Sequence, residues 1–356
     1  MNALFWKNRR VLITGHTGFK GSWLSLWLQQ LNAHLCGISL EPTTTPNLFS
    51  LADVAQHMKN CIADVREFSQ IKKIIHDFEP EIIIHMAAQP LVRYSYHNPI
   101  ETYSTNVMGT AYVLEAAKTT ESVKAVVNVT TDKCYENKEW MWGYRENENV
   151  GGEDPYSSSK ACSELVTTAY QKSYFQKLKK GLASARAGNV IGGGDWSQDR
   201  LIPDIINSII ENRSVVIRNP NAIRPWQHVL EPLFGYLLLA EKLFHHPDKL
   251  SGAWNFGPFV QDAMSVEKII KKMFSVWPEK NRGYLIEQDK ENLHEAHYLK
   301  LDTTKAMNEL KWKSQLDIDA TIAWISTWYQ AWMNKKNMRE ITIGQIKQYE
   351  KLVTQE

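Results

Sequence analysis

A tyrosine and a lysine stand four positions apart in Tyr156-Ser157-Ser158-Ser159-Lys160. On a helix, positions i and i+4 share a face. A nearby ammonium favours phenolate, so the pair suits a general base that takes an alcohol proton while hydride leaves the same carbon. Upstream, Gly15-His16-Thr17-Gly18-Phe19-Lys20-Gly21 spaces three glycines as GxxGxxG. Without side chains the backbone can approach a ligand closely. The start of a helix adds unpaired N–H groups and positive potential, and the combination suits a pyrophosphate. The spacing differs from the GxGxxG of the usual dinucleotide fingerprint, but the physics is similar. His16 and Lys20 bring potential positive charge into this loop, where they either touch phosphate or face solvent. A third cluster, Thr130-Thr131-Asp132-Lys133-Cys134-Tyr135, sets a hydroxyl, a carboxyl and an amine side by side. An acid beside a substrate protonates a leaving hydroxide, and a base removes a proton made acidic by a neighbouring ketone. Elimination of water needs these two tasks in addition to oxidation. The alternative for Asp132 and Lys133 is a surface ion pair.

These clusters need elements that hold them. The first half alternates short β-branched runs with amphipathic stretches, which predicts an α/β fold: a doubly wound, Rossmann-like parallel sheet covered by helices. Strands are predicted over 11–14, 34–40, 60–64, 81–87, 125–130 and 182–187. The helix after the glycine loop carries Trp23, Leu24, Trp27, Leu28 and Leu31 on one face. Further helices are predicted over 71–78, 106–119 and 156–178. The glycine loop follows the first strand and the Thr131 cluster the fifth, and in such sheets chemistry gathers at the carboxyl ends of strands. Lys179 and Lys180 fall in the last turn of the long helix, and Gly181 supplies a left-handed cap. Asp64-Val65 ends the third strand, where Asp64 can accept a hydrogen bond from an adenine amino group. Glu41 is the acidic candidate for the ribose, favouring NAD over NADP.

After about residue 190 the alternation weakens and Gly, Pro, Asn and Trp become frequent, as in an irregular lobe whose loops bind ligand. The chain therefore reads as a dinucleotide-binding domain over 1–188. Residues 189–356 form a smaller, mainly substrate-binding lobe, some of whose segments return to the first domain. Asn189 follows the sixth strand, and Gly192-Gly193-Gly194 lets backbone come close to a ligand. Arg200, Arg218 and Arg224 carry guanidinium forks that suit a diphosphate. Arg93 follows the fourth strand and can reach sugar or phosphate. Trp324, Trp328 and Trp332 form a packing stripe on a helix over 318–333. The polar stretch 334–356 reads as a surface helix.

With 356 residues and 43% hydrophobic content the chain can bury a sizeable core. Its charged fraction of 22% and net charge of +2 give no electrostatic pull toward nucleic acid or membrane. No apolar run approaches the ~20 residues that span a bilayer. MNALFWKNRR places charge after a short apolar stretch, the reverse of a secretory signal, so a cytoplasmic location is expected. Cys36, Cys61, Cys134 and Cys162 form no CxxC pair, so neither a metal site nor a disulfide framework is expected.

The glycine loop and the YxxxK pair, on these elements, resemble the extended short-chain dehydrogenase/reductase superfamily over nearly the whole chain. His85-Met86-Ala87-Ala88 and Asn106-Val107-Met108-Gly109-Thr110 match further pieces of it. The resemblance implies that Ala87 and Ala88 lie along the cofactor and that Asn106 orders the active site. It implies NAD held by Gly15, His16, Thr17, Gly18, Phe19, Lys20, Asp64, Val65, Ala87, Ala88, Asn106, Tyr156 and Lys160. The Thr131-Asp132-Lys133 triplet looks like that of sugar-nucleotide 4,6-dehydratases, many of which have Thr-Asp-Glu with the Glu as the base at C5. Here Lys133 takes that place, and a neutral amine there requires burial or nearby cations. Lysine at this position resembles the branch that acts on CDP-glucose. So do the stretches GHTGFKGSWL, TTDKCYEN, GYRENENVGGEDPYSSSKACSE, RAGNVIGGGDWSQDRLIPD and IRPWQHVLEPL. The implied catalytic set is Thr131, Asp132, Lys133, Tyr156 and Lys160. CDP-glucose would meet Arg93, Asn189, Arg200 and Arg224, in deoxysugar and polysaccharide precursor synthesis. A homodimer through the helices 106–119 and 156–178 is also implied. Two alternatives stay open: a nucleotide-sugar 4-epimerase, which needs only Thr131, Tyr156 and Lys160, and a non-catalytic dinucleotide-binding scaffold. The intact Tyr156–Lys160 pair with Asp132 argues against the scaffold.

Overall fold

Six short runs rich in Val, Ile, Leu and Ala form the strands of the first half of the chain. They are β1 (Arg10–Thr14), β2 (His34–Ser39), β3 (Lys59–Ile62), β4 (Ile82–His85), β5 (Ala125–Val129) and β6 (Gly181–Ala187). The second half adds β7 (Asn189–Ile191), β8 (Val215–Ile217), β9 (Ile223–His228), β10 (Gly252–Phe256), β11 (Ala263–Ser265) and β12 (Tyr284–Ile286). The structure, a computed structural model, describes residues 1–277, 283–287 and 298–354. The main helices are α1 (Phe19–Gln30), α2 (Phe68–Phe78), α3 (Gly109–Thr119), α4 (Pro155–Tyr170), α5 (Leu201–Ile210), α6 (Leu230–His245), α7 (Ile318–Met333) and α8 (Met338–Thr354).

The large sheet has the order β3-β2-β1-β4-β5-β6-β10. All of its pairings are parallel. Successive side chains on a strand point to opposite faces, and the sheet is covered on both. Val11, Ile13, Ile82, Ile84 and Val127 pack with α1 and α6. Leu12, Ile83, Val126 and Leu182 pack with α2 and α3. This is the doubly wound α/β architecture. A second-half strand, β10, closes the edge beside β6. β9 lies between β7 and β11 in a small three-stranded sheet, and β12 pairs with β8.

Several local expectations change. β4 ends at His85 rather than 87, because the N–H groups of Met86 and Ala87 turn to the Thr14 hydroxyl, at 3.0 and 3.1 Å. β3 ends at Ile62, two residues early, before Asp64 turns back to bond Arg66. α1 is buried all round, with every residue from Gly21 to Leu28 buried, and not on one face only. The reason is α8, which sequence polarity assigned to the surface. α8 lies on α1 and buries Met338, Thr342, Gln345, Ile346 and Tyr349. Trp27 donates to Glu350 at 2.8 Å, and Tyr349 donates to the buried Glu231 at 2.7 Å. The left-handed residue after the long helix is Lys179 (φ 53°), not Gly181. Gly181 is already in β6, where a Cβ would lie 2.4 Å from Leu243. Lys180 ties down a neighbouring helix end instead of its own, donating to the carbonyls of Ala117, Lys118 and Thr120. The tryptophan stripe on α7 packs as expected, with Trp196 against Trp328 and Trp332. Among the described residues no helix is long and apolar enough to cross a membrane.

Candidate active site

The glycine loop joins β1 to α1. Gly15 has φ 78°, and a Cβ there would lie 2.8 Å from Ala87 N. A Cβ on Gly21 would fall 2.0 Å from the Gly15 carbonyl oxygen. Both glycines therefore let β1, the loop after β4 and α1 meet backbone to backbone. Gly18 is different. A Cβ there would meet only Gly15 O, at 3.4 Å, and would otherwise project into open space. As the N-cap of α1 it offers no side chain to the N–H groups of the first turn. That is a cradle for a phosphate, with donors and the positive helix end facing it. Thr17 pins the loop to the end of β2 by donating to Leu40 O at 2.8 Å. Phe19 reaches toward Gly192, where a Cβ would come 3.0 Å from its ring.

Two side chains of the loop do not point where the sequence suggested. His16 is fully buried, and its Nε2 pairs with Asn60 Oδ1 at 2.6 Å. Its ring fills the hole left by Gly37 in β2, where a Cβ would come within 2.3 Å. Burial lowers its pKa. The imidazole therefore props the loop from within. Lys20 is half-buried, and its Nζ donates to Tyr236 Oη on α6 at 3.1 Å. Burial, with the charges of Lys160 and Arg200, pushes Lys20 down to about 7. It belongs to the floor of the candidate catalytic cluster. Asp64 has both carboxylate oxygens engaged by the Arg66 guanidinium. That side-chain bonding holds its pKa below the ordinary value. Val65 is buried under Gly109, where a Cβ would lie 2.9 Å from it. Glu41 is exposed beyond β2.

Thr131 leaves β5 and caps the short 3-10 turn Asp132–Cys134. Its Oγ1 accepts from Lys133 N at 3.3 Å and its hydroxyl donates to Asp132 Oδ1 at 2.9 Å. Against burial, the same hydroxyl acts to lower the Tyr156 pKa. Asp132 is buried, and its Oδ2 has no hydrogen-bond partner. Burial raises its pKa, against the charges of Lys133 and Arg224. Gly188 keeps that oxygen clear, since a Cβ there would come 3.2 Å from it. Lys133 is half-buried. α4 starts at Pro155 after the Asp154 cap and turns Tyr156 and Lys160 inward, both buried. Lys160 does not by itself bring Tyr156 toward neutral pH. Its Nζ donates to Val129 O at 3.4 Å, and burial pushes Tyr156 up to about 12. Burial also lowers Lys160 to about 8.

Asn106 lies in a π-helical turn, Ser104–Met108, a distortion that often marks functional sites. It accepts from Gln89 N at 2.9 Å and donates to Ser159 Oγ at 2.8 Å. It thus locks the loop carrying Ala87 and Ala88 to α4. Arg200 caps α5 beside Asp195, and its charge acts on both Lys20 and Tyr156. Arg224 is buried on β9, and its charge acts on Asp132. Asn189 pairs in register with Trp226 on the same small sheet. Arg93 sits on the helix Val92–His97, whose Ser95 Oγ accepts from Tyr156 N at 3.1 Å. Arg218 instead pairs with Asp199 at the surface. The fold thus brings Thr131, Asp132, Tyr156, Lys160, Lys20, Arg200 and Arg224 together.

Sequence reasoning missed three residues. Tyr236 reaches the floor from α6, close enough to Tyr156 for two phenolates to repel. Nothing in a leucine-rich helix marks it. Glu164 and Arg186 form a buried ion pair at 2.8 Å that also takes Thr130 and Ser184 into its network. Burial opposes the charge on Glu164, but Arg186 holds its pKa below the ordinary value. The signal was available: Glu164 falls at the next i+4 step after Tyr156 and Lys160, and Arg186 interrupts a strand of small residues.

The family model described as GDP-mannose 4,6 dehydratase matches residues 12–324. The chain is 51% identical over 350 residues to the CDP-glucose 4,6-dehydratase of Salmonella typhimurium (strain LT2), covering 97% of both. Among solved structures it resembles the UDP-glucose 4-epimerase of Thermotoga maritima with UDP-glucose. That match has a TM-score of 0.78 at 18% identity and covers 91% of this chain and 99% of the other. It also resembles the dTDP-glucose 4,6-dehydratase of Bacillus anthracis in complex with NAD. Here the TM-score is 0.76 at 20% identity, with 90% and 96% covered.

Proposed function

Because the chain belongs to the GDP-mannose 4,6-dehydratase family, we propose that it removes water from CDP-glucose, giving CDP-4-keto-6-deoxyglucose, with NAD as its resident cofactor. One observation carries the reading: the Asp132 carboxyl is buried and protonation-prone, its Oδ2 without a hydrogen-bond partner and its Oδ1 bonded to Thr131, and its charge acts on Tyr156. A 4-epimerase has no use for an acid there. The high identity to a CDP-glucose enzyme supports the choice of nucleotide.

The cradle at Gly18 and the first turn of α1 would hold the pyrophosphate of NAD, with Ala87, Ala88 and Val65 along its length. NAD bound there supplies a reversible acceptor for the C4 hydride. Tyr156, as phenolate, takes the C4 hydroxyl proton; burial opposes that charge, and Thr131 and Arg200 favour it. Thr131 hydrogen-bonds the same sugar oxygen. With C4 a ketone, the C5 proton becomes acidic and Lys133 removes it. Asp132 protonates the departing C6 hydroxide. Arg93, Asn189, Arg200 and Arg224 bind the sugar and diphosphate, so residues 189–356 act mainly as the substrate lobe. Met108, Leu165, Tyr174 and Leu178 are exposed on and beside α3 and α4, which supports a homodimer through these helices. Charged nucleotide sugars do not cross membranes unaided, so the reading places the enzyme in the cytoplasm, supplying deoxysugars for polysaccharide such as O-antigen.

The test is incubation with CDP-glucose and NAD followed by mass spectrometry. Loss of one water is expected. Unchanged mass with inverted C4 would establish the 4-epimerase, and no reaction with any glucose nucleotide would remove both.

A further inference from the structure

The proposed reaction, on which this inference rests, divides its work between two elements. Tyr156 and Lys160 serve C4 oxidation from α4. Asp132 and Lys133 serve water loss from the turn after β5. The sugar must meet both sets, so the turn has to stand in a fixed relation to the helix. A misplacement of about 1 Å can cost a hundredfold in rate. Main-chain bonds fix part of the turn: Thr130 N donates to Ala185 O at 2.9 Å, and Gly151 N donates to Cys134 O at 2.8 Å. These bonds reach β6 and the loop before α4. Glu164, a side chain the reaction does not use, ties the turn to α4 itself.

We propose that the buried Glu164–Arg186 ion pair is a clamp that positions the Asp132–Lys133 turn against Tyr156 for the elimination step. Glu164 follows Tyr156 and Lys160 at the next i+4 step of α4. Its Oε1 accepts from the Thr130 hydroxyl. Its Oε2 accepts from Ser184 Oγ at 2.6 Å and from Arg186 Nη2 at 2.8 Å. The other arm of the guanidinium, Nη1, donates to Tyr135 Oη at 2.7 Å. Tyr135 in turn donates to Asn255 Oδ1 on β10 at 2.8 Å. Thr130 stands just before the turn and Tyr135 just after it. A ring therefore closes through Thr130, Glu164, Arg186 and Tyr135, and back along residues 131–134. One ion pair, rooted in α4 and β6, grips the turn at both ends. All four side chains are buried, which shields these bonds from competing water. The planar guanidinium suits the task, because its fork holds a carboxylate with one arm and a phenol with the other in fixed directions. Against well-packed apolar residues a buried pair is roughly neutral in stability, so its contribution here is geometry. Thr130, Glu164, Arg186 and Tyr135 are positioning residues that act through Asp132 and Lys133.

Two substitutions open the ring and leave both charges in place: Thr130→Val and Tyr135→Phe. In each, water loss from CDP-glucose per NAD-loaded site should slow at least about tenfold, while KM stays within about twofold because Arg93, Asn189, Arg200 and Arg224 are untouched. C4 oxidation should slow less, so a 4-keto sugar retaining its C6 oxygen accumulates in quenched samples. Thr130→Ser, which keeps the hydroxyl, should recover most of the loss. The double variant should be about as slow as the slower single one, since either cut opens the same ring. A purely structural pair predicts lower stability in urea with turnover per loaded site within about twofold of wild type, or slowing of both steps by one factor. Either result overturns the clamp, as do single-variant factors that multiply in the double variant. If the wild-type enzyme releases no water from CDP-glucose, the proposed function fails. If it does and the variants match it, only the clamp fails.

Discussion

Lys20→Met isolates what a buried amine in the catalytic floor does to the whole fold. Burial and neighbouring cations lower Lys20 from 10.5 to about 7. Because the folded value is depressed, the unfolded chain binds the extra proton throughout that interval. The penalty is full below about pH 7, shrinks as pH rises, and is gone above 10.5. Each pH interval contributes about 1.4 kcal/mol, so the penalty near neutrality reaches about 4 kcal/mol. The substitution also strips the Tyr236 hydroxyl of its partner and changes packing, together worth about 1–2 kcal/mol. Lys20→Met should therefore stabilise the protein by about 2 kcal/mol at pH 7. Urea unfolding of both proteins at several pH values between 6 and 10 measures this directly. The advantage must shrink as pH rises, vanish near pH 9 and become a small deficit by pH 10. Steady-state turnover should fall at least tenfold, since the charge beside Lys160, Arg200 and Asp132 is lost. A variant that is less stable at pH 7, or whose stability runs parallel to wild type across pH, refutes the reasoning.

Asp132→Asn should leave C4 oxidation largely intact and slow water loss by at least a hundredfold, so a 4-keto sugar retaining its C6 oxygen accumulates in quenched samples. Equal slowing of both steps would remove Asp132 as the acid. Arg186→Met leaves Glu164 charged and unpaired inside the protein and should cost about 3–5 kcal/mol in denaturant unfolding; adding Glu164→Gln should recover much of the loss. Gly21→Ala pushes a Cβ to 2.0 Å from the Gly15 carbonyl, which only a backbone shift can relieve. NAD affinity by calorimetry should drop by more than tenfold, and unchanged affinity would show that the loop yields easily.

The candidate catalytic cluster was legible as a cluster because its parts fall at strand ends. Thr131 and Asp132 follow β5, Tyr156 opens α4, and the parallel sheet sends these points to one edge. What stayed hidden depends on contacts distant in sequence. The direction of His16 is set by the missing side chain of Gly37. Lys20 is turned inward by Tyr236, a partner 216 positions away. α8 reads as a solvated helix because its buried face includes Thr342 and Gln345, and polar residues in such places become apparent only once their partners are known. Tyr156 shows a different limit. Spacing gives its helical neighbour, Lys160, but not that the amine bends to Val129 while burial dominates the phenol.

The seating of α8 on α1 has a consequence for the order in which activity can arise. The helix whose first turn forms the phosphate cradle is held on its outer side by Tyr349 and Glu350, and the bond from Trp27 spans 323 positions. On the ribosome, residues near 27 emerge long before those near 350, and until then Trp27 lacks the cover of Tyr349 and Glu350. The nucleotide cradle is thus among the first parts of the chain to be made and among the last to be braced. Firm cofactor loading is therefore expected to follow the docking of α8, and a chain truncated before it should bind NAD more weakly in calorimetry.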